Sequence, residues 1–511
     1  MPTRRRSPAR VLVGVLAVVL VLCCGGAAVG GWALARGGTD TVGQVDFVRP
    51  LAVPPLATSR VDGQGRRVFD LLAREGRRDF RGDGRLTRTA GFDGDFLGPT
   101  LRAGRGERVV VNVVNRLAEA TSVHWHGMHL PARMDGGPHQ PIRPGATWSP
   151  TWTVDQPAAT LWYHPHPHGA TEEHVYRGLA GMFIVDDDRE AALPLPRRYG
   201  VDDVPVIVQD RNFSRSGQFK KTRNMIAGIG VLGDTLLVNG TVGPYLDVTT
   251  ERVRLRLLNG STARAYDFGL SDGRPFALIG SDGGLLPRTA RVDRVQLSPG
   301  ERAEIVVDVR PGERVTLRSF PPDLGAGALA DRFAGGADRF DVLQLRAAGT
   351  LAASPPVPDT LVPLDRLDPA SAGQTRRFTL AGRAINGRSM RMDRIDFAAT
   401  RDTTEVWEVV NSDGAPHNFH VHDVQFQVLS VGGQAPPPAL GGWKDTVYLA
   451  PQRPVRLILR LTDHSDPNVP YMFHCHLLYH EDAGMMGQFV VVEPGQRAGR
   501  PPAPAEHAGH D

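Results

Sequence analysis

The sequence predicts an all-β protein made of three consecutive domains behind an N-terminal apolar segment. Its 511 residues exceed what one compact core accommodates and suit about three domains of ordinary size. Its 58 glycines and 41 prolines punctuate short runs in which Val or Leu alternates with Arg or polar residues, the pattern of antiparallel strands and turns rather than of helical bundles. These runs also repeat. Asn115, Asn259 and Asn411 each close an alternating strand, and together they align three blocks.

In chain order, residues 1–36 come first. Val11 to Ala35 carries no charge and follows a basic decapeptide, a run long enough to span a bilayer with its arginines on the cytoplasmic side. The small residues from Gly25 to Gly31 suit a cleaved signal peptide equally well. Arg4-Arg5-Arg6 hints at a twin-arginine signal, suited to export of a folded, metal-loaded protein. By either route the body is exported, to be periplasmic, secreted or held by a membrane anchor. Setting aside Arg4, Arg5, Arg6, Arg10 and Arg36 leaves 54 basic against 55 acidic residues, so the pI near 9.1 gives no reason to expect nucleic acid.

The first domain, 45–195, contains the alternating run Glu107–Asn115, then His124-Trp-His126-Gly, then Trp162-Tyr-His164-Pro-His166-Pro-His168-Gly, and closes with Gly178-Leu-Ala-Gly-Met-Phe-Ile-Val185. The second, 196–355, contains Asp203–Gln209, Arg252–Asn259 and Ala303–Val309. A Pro-rich linker is expected from Leu351 to Asp359. The third domain, 356–495, ends in Met472-Phe-His474-Cys475-His476, and the Pro/Ala/Gly-rich tail 496–511 is expected to be disordered. Nine and eleven residues after the aligning Asn stand His124 and His126 in the first block, and His420 and His422 in the third. In the second block those places hold Phe268 and Leu270. A metal site is therefore expected where the first and third domains meet, with the middle domain a copy lacking ligands.

Three cysteines occur, and Cys23 and Cys24 lie in the apolar segment. Cys475 then has no intrachain disulfide partner in the exported body. A solitary thiol in an oxidising compartment is buried or metal-bound, and two flanking histidines favour metal. On a strand, Cys475 faces one way while His474 and His476 face the other, so one tripeptide serves two sites. His417, Cys475 and His480, with Met485 axial, make a blue-copper ligand set. The four pairs His124/His126, His164/His166, His420/His422 and His474/His476 supply eight imidazoles, enough for three copper ions. His129, His139, His168, His174, His464, His507 and His510 are expected to be ordinary surface or hydrogen-bonded residues.

The motifs His-Trp-His-Gly, His-Pro-His-x-His-Gly, His-x-x-His-x-His and His-Cys-His-x-x-x-His-x-x-x-x-Met together resemble the copper signature of the three-domain multicopper oxidases. Gly442-Trp-Lys-Asp445 and Leu477-Leu-Tyr-His-Glu-Asp-Ala-Gly-Met485 most resemble the bacterial copper-efflux and laccase-like branch. The resemblance implies three cupredoxin-like Greek-key β-sandwich domains and four copper ions: one type 1, one type 2 and a type 3 pair. By that resemblance His417, Cys475, His480 and Met485 hold type 1 copper, and His124 and His420 hold type 2. His126, His164, His166, His422, His474 and His476 hold the type 3 pair. It further implies dioxygen as acceptor, cuprous ion or a small aromatic as reductant, and a monomer. Asp135 and Glu481 match acids that serve proton delivery in that branch. Asp445 is expected beside the electron-uptake site, where Met390, Met392 and Asp396 could bind a cuprous substrate. The alternative is a non-enzymatic cupredoxin-like protein that binds copper or serves as a structural partner at the envelope; the complete ligand set disfavours it.

Overall fold

The structure, a computed structural model, describes residues 38–223 and 228–502. The expected leader at 1–36 and the tail beyond 502 lie outside the described residues. Six β-sheets pack as three sandwiches, each around its own apolar core. The sheets are mixed rather than purely antiparallel. In every sandwich the strand that ends in the aligning Asn runs parallel to an earlier one: Arg108–Asn115 beside Arg67–Arg78, Arg252–Asn259 beside Asp203–Arg211, and Thr403–Asn411 beside Gln374–Ala381. Parallel neighbours need a crossover, which these chains make through the opposite sheet of the same sandwich.

The three asparagines do the same work. Each is fully buried, and its side-chain amide donates to two main-chain carbonyls: Glu119 and Ile142 for Asn115, Arg264 and Leu297 for Asn259, Ala415 and Leu449 for Asn411. Each Oδ1 accepts from the amide two residues on. The asparagine thus satisfies the turn that sends the chain to the next sheet, where the ligand strands begin.

Domain edges differ from the sequence reading. Arg49–Pro50 pairs in parallel with Pro244–Thr250, and Leu51 enters the middle core, so the start of the expected first domain packs on the second. The expected linker lies along the middle sandwich: Thr289 N donates to Asp359 O, and Leu361 joins that core. Of the tail expected to be disordered, residues 496–500 are fastened down, with Gly499 N on Pro467 O and Arg500 N on Asn468 Oδ1.

The first and third sandwiches present equivalent elements to each other. Strands His124–His126 and Ala159–His164 on one side match His417–Val421 and Tyr471–His474 on the other. Short helices follow, Thr171–Arg177 and Leu478–Asp482, and they meet where Asp482 accepts from Thr171 N and Glu172 N. Phe268 and Leu270 are buried in the middle core, as expected of positions without ligands.

Candidate metal centre

Eight imidazoles from the two outer sandwiches form one buried cage. His124 stacks on His422 and His126 on His420, each with ring centroids 3.7 Å apart. Hydrogen bonds fix which nitrogen faces inward. His124 Nδ1 donates to Asp135 O, His164 Nδ1 to Pro165 O, His420 Nδ1 to Asp445 O and His422 Nδ1 to Asp135 Oδ2. Their Nε2 atoms are left bare and pointing in. They meet others at short range: His420 to His124 at 3.5 Å, His476 to His164 at 3.4 Å, and His474 to both His166 and His422 at 3.3 Å.

Facing lone pairs repel unless cations lie among them. Burial, reinforced by the neighbouring rings, pushes His126, His164, His166, His420 and His474 well below the usual imidazole range, and brings His422 down to about 4 and His476 to about 3. Neutral imidazole is the form that binds metal. His126 is turned the other way: its Nε2 donates to Asp445 Oδ1 at 3.0 Å, leaving Nδ1 buried without a hydrogen-bond partner.

The second constellation is a near-trigonal set. Cys475 Sγ lies 3.6 Å from His417 Nδ1 and from His480 Nδ1, and those nitrogens are 3.1 Å apart. A metal in the plane of two imidazoles and a thiolate, at about 2.0 and 2.3 Å, sets these separations to about 3.7 and 3.5 Å. The donors therefore fit the blue-copper geometry. Asp413 accepts from His417 Nε2, and Gly228 O accepts from His480 Nε2, which orients both Nδ1 atoms toward sulfur. Burial opposes ionisation of Cys475, but the His417 and His480 rings bring its thiol down to about 6. Met485 is fully buried in the same core, and its carbonyl accepts from Cys475 N.

The acids stand at the cage, not all where expected. Asp135 is buried, bonded to His422 Nδ1 at 2.8 Å and 3.3 Å from His124 Nδ1; burial opposes its ionisation, but these rings hold it below the usual carboxylate range. Gly136, with φ +79°, makes this possible, since any Cβ there would lie 1.7 Å from Val123 O. Glu481 Oε2 and Oε1 lie 3.2 and 3.5 Å from the Nδ1 atoms of His474 and His166. Burial pushes its carboxyl well above the ordinary value. Asp445 is a correction: it does not flank the Cys475 site but sits against His126 and Thr446 of the cage. It is held there because Lys444 and Asp445 pair with the middle domain, Lys444 with Glu301 and Asp282, Asp445 with Arg302. Asp396 is also placed differently. One of its oxygens accepts from Arg394 and the other from Gln488 N, so it is not a free hard ligand.

The middle domain therefore touches the centre although it supplies no ligand. Arg302 is fully buried, bonds both oxygens of Asp445 at 2.8 and 2.6 Å, and donates to Thr160 O and Asp282 O. Gly300, with φ +88°, comes so close that a Cβ would be 3.2 Å from His126 Cε1 and His476 Nδ1. Asn418 Oδ1 accepts from His476 N at 2.6 Å and lies 3.6 Å from Cys475 Sγ. Nothing in the alternating pattern singled out these three. Arg302 could have been suspected only as a charged residue opening the strand Arg302–Asp308, which also carries Glu304 and ends in Asp308.

Comparison with known proteins agrees with the geometry. Two family models described as multicopper oxidase match residues 77–190 and 359–495. The chain is 36% identical over 448 residues to a multicopper oxidase of Staphylococcus haemolyticus, covering 86% of this chain and 92% of that one. It is 38% identical over 456 residues to the cell division protein FtsP of Xenorhabdus nematophila, covering 87% and 93%. Among solved structures, a laccase-like multicopper oxidase CueO from Ochrobactrum sp. superposes with a TM-score of 0.79 at 36% identity, covering 87% of this chain and all of that one. A laccase from Pediococcus acidilactici gives 0.78 at 35% identity, covering 87% and 94%.

Proposed function

The chain belongs to the multicopper oxidase family, and on that premise we propose that it is an exported, monomeric oxidase that takes single electrons from a small reductant and delivers four of them to dioxygen, giving two waters. Family membership makes it a copper-binding oxidoreductase; the four-copper arrangement, the acceptor and the reductant are our reading. The observation that carries it is the tripeptide His474-Cys475-His476, whose sulfur belongs to one donor set and whose imidazoles belong to the other.

Bound copper supplies the one-electron redox change and the charge stabilisation that reduction of dioxygen requires. The chain's own residues supply position and protons. Cys475 hands electrons on through a few covalent bonds to either neighbouring imidazole. Asp445, bonded through both oxygens to the Arg302 guanidinium, and Asp135 hold cage rings in fixed orientation. Glu481, kept neutral by burial beside His166 and His474, carries a proton it can give where oxygen is reduced.

For the reductant, an apolar cavity of about 570 Å³ adjoins His417, lined by Leu329, Phe333, Ala334, Gly414, Ala415 and Pro416 among others. Among the described residues its lining contains no methionine and no carboxylate. That composition favours a phenolic or aminoaromatic molecule over cuprous ion. One observation supports a second reading, a copper-binding or structural protein of the envelope: the 38% identity to a cell division protein. The complete donor sets weigh against it.

Oxygen uptake by the copper-loaded protein tests both, with cuprous ion, ferrous ion and a phenolic dye offered in parallel against enzyme-free controls. Highest efficiency with the dye supports the aromatic reading, and highest with cuprous ion replaces it by metal oxidation. No uptake above control with any reductant supports the non-enzymatic reading.

A further inference from the structure

Four of the chain's ten methionines meet in one place. Met390, Met472 and Met486 are buried, half-buried Met392 packs against them, and among the described residues the cluster includes no other apolar side chain.

Strand pairing dictates where it lies. His474 stands opposite His420 on one side and Met486 on the other. One row on, Met472 stands opposite Gln488, and its carbonyl accepts from His422 N. Residues two apart on a strand share a face. The thioethers of Met472 and Met486 therefore project from the same face as the cage imidazoles of His420, His422 and His474. Met472 also reaches the turn that holds Asp135: its Cγ is 3.8 Å from where a Cβ on Gly137 would lie.

The methionines are graded in depth. Met392 is half-buried at the surface, Met390 is 8% exposed, Met486 2% and Met472 1%. Met486 also lines a cavity of about 280 Å³ bounded by Arg394, Asp396 and Phe473. Gln488 backs the cluster, donating to the carbonyls of Arg391, Met392 and Arg394 while His139 Nε2 donates to its Oε1. His139 Nδ1 is left buried without a hydrogen-bond partner.

Chemistry separates this cluster from ordinary packing. An apolar core built for shape uses Leu, Ile and Val with fixed rotamers, whereas methionine is flexible and polarizable. Thioethers discriminate strongly in favour of soft ions such as Cu(I). Asp396 is already engaged by Arg394 and Gln488 N, so the donors that remain are neutral, which suits a monovalent ion.

We propose that Met390, Met392, Met472 and Met486 form a thioether site for one cuprous ion, through which copper passes from the surface to the histidine cage. The destination rests on the copper reading of the cage; the thioether site does not.

Silver ion, a redox-inert stand-in for cuprous ion, tests the site on the copper-loaded full-length protein by equilibrium dialysis, with copper counted in the same samples. The wild type is expected to bind one more silver ion per chain than a Met390→Leu/Met486→Leu variant, in which leucine conserves volume. At half-buried Met392, where folding is not at stake, Met392→Leu is expected to weaken silver binding at least tenfold. Equal silver binding by wild type and variants overturns the site. The path is tested by giving copper-free protein cuprous ion under anaerobic conditions, then quenching with chelator at intervals. The double variant is expected to fill the cage at least tenfold more slowly while the Cys475 site fills at the wild-type rate. Equal cage filling overturns the path. Neither readout needs turnover, so silver binding at the thioethers of a protein that consumes no oxygen refutes the oxidase reading and leaves the site standing.

Discussion

Asp445→Asn isolates what the middle domain does for the cage. Arg302 donates two hydrogen bonds to Asp445, at 2.8 and 2.6 Å, and both side chains are fully excluded from solvent. Asparagine keeps an oxygen for His126 Nε2 but removes the charge facing the guanidinium. Removing one partner of a buried ion pair costs about 3–5 kcal/mol. Asp282, whose carboxylate is 3.7 Å from Arg302, still supplies counter-charge, which puts the loss at the lower end of that range. On the metal side, losing the carboxylate that orients a ligand imidazole weakens binding about 10–100-fold, or about 1.4–2.8 kcal/mol. Copper-loaded wild type and variant are dialysed against stepped chelator, with metal counted and the blue absorption at Cys475 recorded. The variant is expected to lose cage copper at roughly 10–100-fold lower chelator, to keep its blue absorption, and to melt at lower temperature when copper-free. Identical copper retention at every chelator concentration would refute the claim that the Arg302–Asp445 pair supports the cage.

Cys475→Ser, nearly isosteric, should remove one copper and the blue absorption while the cage keeps its metal, read by copper count and visible spectrum. Gly300→Ala should lower cage copper without altering the blue absorption, because its Cβ would press on His126 and His476 at 3.2 Å in a left-handed backbone. His129 links the outer sandwiches by donating to Asp423 and Asp463, and, although burial opposes it, the two carboxylates raise the imidazole from 6.5 to about 9. Because the folded value is the higher, its stabilisation is fully present below about pH 6.5 and is lost as pH rises through about 9, a total of about 3 kcal/mol. Melting temperatures from pH 6 to pH 10 should fall in the wild type by more than in His129→Gln.

That the cage histidines and Cys475 would cluster was legible because coordination chemistry restricts residue type and strands restrict spacing. His-x-His on one face and Cys between two His are patterns that few other needs produce, and the repeat marked by Asn115, Asn259 and Asn411 told which blocks carry them. Asp445 was legible as an acid but not as to place. Its position depends on Arg302 and Lys444 pairing across domains, and a charge in sequence does not say which distant charge will neutralise it. Domain edges differ for a similar reason: the sequence pattern assigns residues 49–51 to the first domain and 351–359 to a linker, yet backbone groups of both find partners on the middle sandwich.

By itself the sequence pointed to the number of β units, to the residues that gather in the two clusters, and to the division of the His474-Cys475-His476 tripeptide between them, since strand alternation and ligand chemistry act over a few residues. Only the tertiary structure decided which nitrogen each imidazole turns inward, that the middle domain braces the cage through Arg302 and Gly300, and that four methionines from three separate segments stand beside it. The methionines meet once the third core has closed, whereas the bracing by Arg302 and Gly300 joins residues more than a hundred positions apart and exists only once the three cores have packed against one another.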